Sequence, residues 1–97
     1  MHAGKILKAE VNEKANKPAF KLEIDFGQLG VKKSSAQLNK LYDVKDLIGK
    51  QIIAVTNFPV KQVAGMISEV LVLGIVQDDD VILLEPERNA LNGAKIS

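Results

Sequence analysis

The side chains able to do chemistry in this chain are few, and their types limit what the protein can be. There is no cysteine and one histidine, His2, expected to fray beside Met1. A thiolate nucleophile, a disulfide framework and a cysteine or histidine metal site have nothing to be built from. Ser34, Ser35 and Ser68 stand in patterned segments, but a serine hydroxyl attacks only beside a base, and none is suggested by the pattern around them. Asp78, Asp79 and Asp80 form an acidic run. A calcium loop needs oxygen ligands spaced around a glycine turn with a late acid, so a solvated turn is expected there instead. The residue types point away from an enzyme, with no cofactor, and towards a binding protein.

Two sets of residues could do the binding. The first is Val31 to Gln37, Val-Lys-Lys-Ser-Ser-Ala-Gln, in which Lys32, Lys33, Ser34, Ser35 and Gln37 offer donors to phosphate oxygens or to a peptide backbone. An edge strand guarded by lysine would read the same way. Lys40, Lys50 and Lys61 add positive charge along the chain. The net charge of +1 conceals an asymmetry, because residues 1–68 hold eleven Lys against six Asp or Glu, while residues 69–97 hold two basic and six acidic groups. A basic face able to meet phosphate is one consequence, and charges mixed in three dimensions is the other. Stacking of bases is poorly provided for, since the chain has three Phe and one Tyr. Phe20 and Phe26 belong to a core pattern, which leaves Tyr42 and Phe58.

The second set lies in Asn57 to Gly74. This stretch is nearly all apolar from Val63 onward, yet Ser68 and Glu69 interrupt it just before Val70-Leu71-Val72-Leu73. The aliphatic run has no alternation, so a strand covered on both sides is expected, and a carboxylate entering it must be bonded or at a rim. Phe58-Pro59 with Gly65 predicts a turn and a bent connection upstream.

The elements that position these residues are mostly strands. Gly4 to Val11 predicts a strand with Leu7, Ala9 and Val11 on one side. Residues 12–18, rich in Asn, Lys and Glu and closed by Pro18, predict a loop. Phe20-Lys21-Leu22-Glu23-Ile24-Asp25-Phe26 alternates without a miss, with the apolar residues inward. Gly27 to Gly30 is a turn that returns Val31 to Leu38 antiparallel. Asp43 can cap a short helix over Val44 to Ile48, closed by Gly49. Gln51 to Thr56 and Val81 to Leu84 predict buried strands, and Asn92-Gly93 a turn bringing Ala94 to Ile96 back as a clamp. Ninety-seven residues make one domain, 1–97. No stretch has the length of a membrane span or the apolar run of a signal peptide, so a cytoplasmic protein without membrane insertion is expected. Five or so strands with a helical insertion suit an OB barrel, an SH3-like barrel or a sandwich alike.

Lys33-Ser34-Ser35-Ala36-Gln37, Gly49-Lys50-Gln51, Asn57-Phe58-Pro59, Gly65 with Ser68 through Gly74, and the closing Asn92 to Ile96 together resemble the CsaA family. These are OB-fold homodimers related to the tRNA-binding domain of methionyl-tRNA synthetases. The resemblance spans about Gly4 to Ile96. It implies an all-β, five-stranded OB-fold barrel with a short helical insertion and glycine-rich turns. It also implies a homodimer and one of two activities, holding unfolded or secretory polypeptides or binding tRNA. Apolar pockets near the dimer interface would take the polypeptide, and Asn57, Phe58, Pro59, Met66, Ser68 and Glu69 carry over to them. Folded tRNA would be held by phosphate contacts from Lys32, Lys33, Lys40, Lys50 and Lys61, with Ser34, Ser35 and Gln37.

Overall fold

A computed structural model of the chain describes residues 1–12, 19–38, 42–57, 59–63, 66–78 and 80–97. The loop expected over residues 12–18 lies largely outside these. The strands β1 (His2–Val11), β2 (Phe20–Asp25), β3 (Val31–Ala36), β4 (Gln51–Val55) and β7 (Leu71–Val72) form one antiparallel sheet in the order β3-β2-β1-β4-β7. Two hairpins complete the strand set: β5 (Lys61–Val63) with β6 (Met66–Ser68), and β8 (Gly74–Gln77) with β9 (Asp80–Leu83). The sheet curls into the expected all-β, OB-like barrel, nearly closed where β3 meets the segment from Ser68 to Val70. One short helix, α1 (Val44–Leu47), precedes β4, and the Asp43 N–H donates to Asp46 Oδ2 at its start.

The alternation of β2 places Phe20, Leu22 and Ile24 in the core, with Phe26 after them, and Ile6, Leu38, Leu47, Ile52 and Val70 pack on that set. Burying each large aliphatic is worth roughly 1.5–3 kcal/mol, so this strand anchors the barrel. β1 departs from its expected face. A β-bulge between Ile6 and Lys8 inserts Leu7 as an unpaired residue, so Ile6 and Ala9 point inward while Leu7 is 47% exposed. Val11 is also exposed, at the strand end. The expected inward set of Leu7, Ala9 and Val11 thus keeps only Ala9: the bulge turns Leu7 outward, and Val11, on the same face as Ala9, lies at the uncovered strand end.

Gly27 and Gly93 cross back to back. Their φ angles are +61° and +89°, and a Cβ on either would stand 2.2 Å from the other segment's carbonyl, that of Asn92 or of Phe26. This contact seats the Asn92-Gly93 turn, and the residues after it clamp β1 as expected: Ala3 N–H donates to Ala94 O, Gly93 N–H to Ala3 O and Ile96 N–H to Met1 O. His2 is not frayed. It pairs with Ala54 and Lys95, and its Nδ1 lies 2.6 Å from Thr56 Oγ1. The expected bent connection after Pro59 is the hairpin β5–β6, and Val81 to Leu84 is less buried than expected, with only Leu83 in the core.

Candidate functional site

The polar interruption in the apolar stretch has a structural cause. β3 is the outer strand of the sheet, and its free edge would leave backbone groups unpaired. Glu69 and Ser68 satisfy them. Lys33 N–H donates to Glu69 Oε1 at 3.0 Å while Glu69 N–H donates to Lys33 O at 2.8 Å. Ser35 N–H donates to Ser68 Oγ at 3.2 Å, and the Ser68 hydroxyl donates to Val70 O at 3.1 Å. The Ser34 hydroxyl reaches the same Val70 carbonyl at 3.1 Å. Where a regular ladder fails, side chains stitch the barrel shut. Ser34 is fully buried and Ser68 nearly so, and both hydroxyls are engaged in this seam.

The strand period separates the expected lysines. Lys32 stands opposite Ile24 and shares the inward face with Ser34 and Ala36, its half-exposed side chain leaving at the barrel rim. Lys33 stands opposite Glu23 on the outer face. The two neighbours therefore point to opposite sides of the sheet and do not make one basic patch. Lys50 is engaged elsewhere, 3.6 Å from Glu85 and with its ammonium 5.9 Å from the Tyr42 ring centroid. Lys61 is exposed on β5, and Lys40 lies outside the described residues. Tyr42 packs against the core and its hydroxyl accepts from Leu83 N–H at 3.1 Å, so it is no stacking platform.

Two concave surfaces flank this seam. One is an apolar groove of about 300 Å³ lined by Leu38, Leu71, Leu73, Val81 and Leu83, with Ser35, Gln37 and Ser68 also in its wall. It opens beside the ribbon β8–β9, where Ile75, Val76 and Ile82 are exposed, Val76 by 77%. Leu71 is 44% exposed, so the expected two-sided cover of Val70 to Leu73 is incomplete within one chain. The other is a charged groove of about 580 Å³ over β1, β2 and β3, walled by Ile67 and Glu69. Of the residues expected to bind polypeptide, Asn57 and Pro59 are exposed, Phe58 lies outside the described residues, and the Met66 side chain is likewise not described. The structure thus brings together Ser68 and Glu69 with Lys33, Ser34 and Ser35, as a seam. Sequence reasoning missed the apolar groove as a unit, because Leu38, Leu71 and Val81 converge only through the barrel's closure. Its one sequence signal was the unalternated run from Val70 to Leu73.

With this geometry in hand, residues 1–95 match the family model described as a putative tRNA binding domain. The crystal structure of the chaperone CsaA from Bacillus anthracis str. Ames is 56% identical and superposes with a TM-score of 0.93 over 99% of this chain and 88% of that one. The chain belongs to the CsaA-type tRNA-binding domain family. A second CsaA-type structure, the CsaA chaperone protein from Picrophilus torridus, is 48% identical with a TM-score of 0.91, covering 99% and 89% of the two chains. The methionine–tRNA ligase of Methanococcoides burtonii is 34% identical over 94 residues, which are 96% of this chain and 14% of that enzyme. The chain thus spans about one seventh of that relative's length, and the likeness is to a module of it. Among the described residues, no helix is long and apolar enough to cross a membrane.

Proposed function

We propose that this CsaA-type chain is a homodimeric, ATP-independent chaperone that binds unfolded or export-bound polypeptides through apolar surface beside its dimer seam, in the cytoplasm. The observation that carries the reading is the apolar groove with half-exposed Leu71 in its wall, flanked by a β8–β9 ribbon that exposes Ile75, Val76 and Ile82. Exposed apolar residues clustered on a small domain mark contact with another chain. A two-fold partner set on the β8–β9 ribbon would cover part of this surface and leave the groove at the margin for a client. Within this reading Ser68 and Glu69 shape the groove's neighbourhood by closing the barrel, and the client touches Leu71, Leu73 and Val81 instead. Asn57 and Pro59, both exposed, remain candidates for the rim. The chain acts by binding, without catalysis.

A second reading, tRNA binding, is favoured by the family description itself. The same sample discriminates the two. Labelled tRNA and a labelled unfolded polypeptide are titrated across a salt series: counterion release makes phosphate binding fall steeply with salt, whereas apolar capture stays nearly flat. The expected result is flat polypeptide binding that weakens on Leu71→Ser. Tight, steeply salt-dependent tRNA binding with no polypeptide affinity overturns the chaperone reading, and a stable monomer in sedimentation at micromolar concentration overturns the dimer.

A further inference from the structure

The outer face of β1, β2 and β3 carries its charges as a checkerboard. In one cross-strand row Lys8 stands opposite Glu23, which stands opposite Lys33. In the next, Glu10 stands opposite Lys21, which stands opposite Ser35. The bulge at Leu7 is what turns Lys8 and Glu10 onto this face. Beside the sheet, β6 and the residue after it raise a wall bearing Ile67, which is exposed, and Glu69. Among the described residues, three lysines and three glutamates line the resulting groove, and no aromatic residue does. Lys8 and Glu23 approach to 4.0 Å. Among the described residues, Glu10, Lys21 and the Lys33 ammonium form no ion pair.

This is the kind of strand face on which OB barrels commonly hold oligonucleotides. Its chemistry here is wrong for them. A run of phosphates laid along it would face Glu10, Glu23 and Glu69, and like charges set together across an interface suppress binding. Among the described residues that line it, none offers a ring on which a base could stack. A ligand of single charge sign meets the same obstacle whichever sign it has. We propose that the groove binds an extended polypeptide segment carrying both acidic and basic side chains, set opposite in sign to the lysines and glutamates beneath. An extended chain alternates its side chains, as the strands below it do, and Ile67 with the lysine stems supplies apolar contact. The inference rests on the polypeptide-binding reading above and gives it a second, charge-selective site.

The test uses the full chain and fluorescence anisotropy with short labelled peptides of equal length that carry charge at every second residue with serine between, so that one face holds Lys and Glu in alternation, all Lys, all Glu, or no charge. A single-stranded oligoribonucleotide is titrated alongside. The alternating peptide is expected to bind about tenfold more tightly than the others. Glu10→Lys and Lys21→Glu should each weaken it about threefold to fivefold, with most of the loss recovered in the double swap and none caused by Lys95→Glu. Unchanged melting temperatures of these surface variants separate lost contact from lost fold. Equal binding of the uncharged peptide overturns the inference, and so does tighter oligoribonucleotide binding that is lost in Lys21→Glu. If the alternating peptide fails while an unfolded polypeptide still binds in a Leu71-dependent way, the charged groove is refuted and the chaperone reading stands. If neither binds, both fall.

Discussion

The Val70 carbonyl offers the sharpest test of how the barrel is closed. Two hydroxyls donate to it, Ser34 Oγ at 3.1 Å and Ser68 Oγ at 3.1 Å, and it has no backbone donor among the described residues. Val70 is 1% exposed, so water cannot replace a lost partner without opening the core. In Ser34→Ala the carbonyl keeps the Ser68 hydroxyl, and the cost is a net hydrogen bond, about 1 kcal/mol. In Ser68→Ala it keeps Ser34, but Ser35 N–H loses its acceptor as well, so the cost is about 1–2 kcal/mol. The double variant leaves the carbonyl buried and bare, and desolvation adds about 1 kcal/mol beyond the sum of the singles. For a domain of this size about 1 kcal/mol moves Tm by roughly 4–8 °C, which circular dichroism melts resolve, and urea titration gives the free energies. The refuting result is additivity within about 0.5 kcal/mol, which would mean that another group reaches the carbonyl or that the seam opens to water at little cost.

Glu69→Ala should cost about 1 kcal/mol, less than a buried charged bond, because water can reach the freed Lys33 N–H; faster hydrogen exchange at that amide checks it. Gly93→Ala forces a Cβ to 2.2 Å from Phe26 O at a φ of +89°, and a loss above about 2 kcal/mol is expected. Gly30→Ala meets nothing within 4 Å, but at φ +89° and ψ −175° it occupies a conformation essentially confined to glycine, so a loss of about 1–3 kcal/mol is expected in the same urea titration. Tyr42→Phe keeps the ring packing but strands Leu83 N–H, for a loss of about 1 kcal/mol. Val76→Lys changes a side chain that is 77% exposed in one chain, so it should leave the fold intact and shift sedimentation from dimer to monomer.

The sequence by itself determined the strand Phe20 to Asp25, the glycine turn after it, the helix behind Asp43 and the clamp after Asn92-Gly93. Each is set by local chemistry: a side-chain period of two, a φ that glycine adopts freely, a capping carboxylate, a tight turn. Family membership was legible too, because it rests on residue identities along the whole chain. Tertiary structure decided the rest. The alternation of β1 reverses at Leu7 only because β2 leaves that residue without a partner, and a bulge has no signature in the strand that carries it. Lys32 and Lys33 look like one basic patch in the sequence, and the pairing register sends them to opposite faces. Ser34 looks like a surface donor, but the neighbour that buries it, Val70, lies 36 residues away. Ser68 and Glu69 stood out in the sequence as polar residues in need of partners. Their partners are the edge groups of β3, which become adjacent only when the sheet curls round to meet itself. Long-range closure, unlike strand period, cannot be computed from neighbours in the chain, and here it gives Ser34, Ser68 and Glu69 a task as stitches of the barrel.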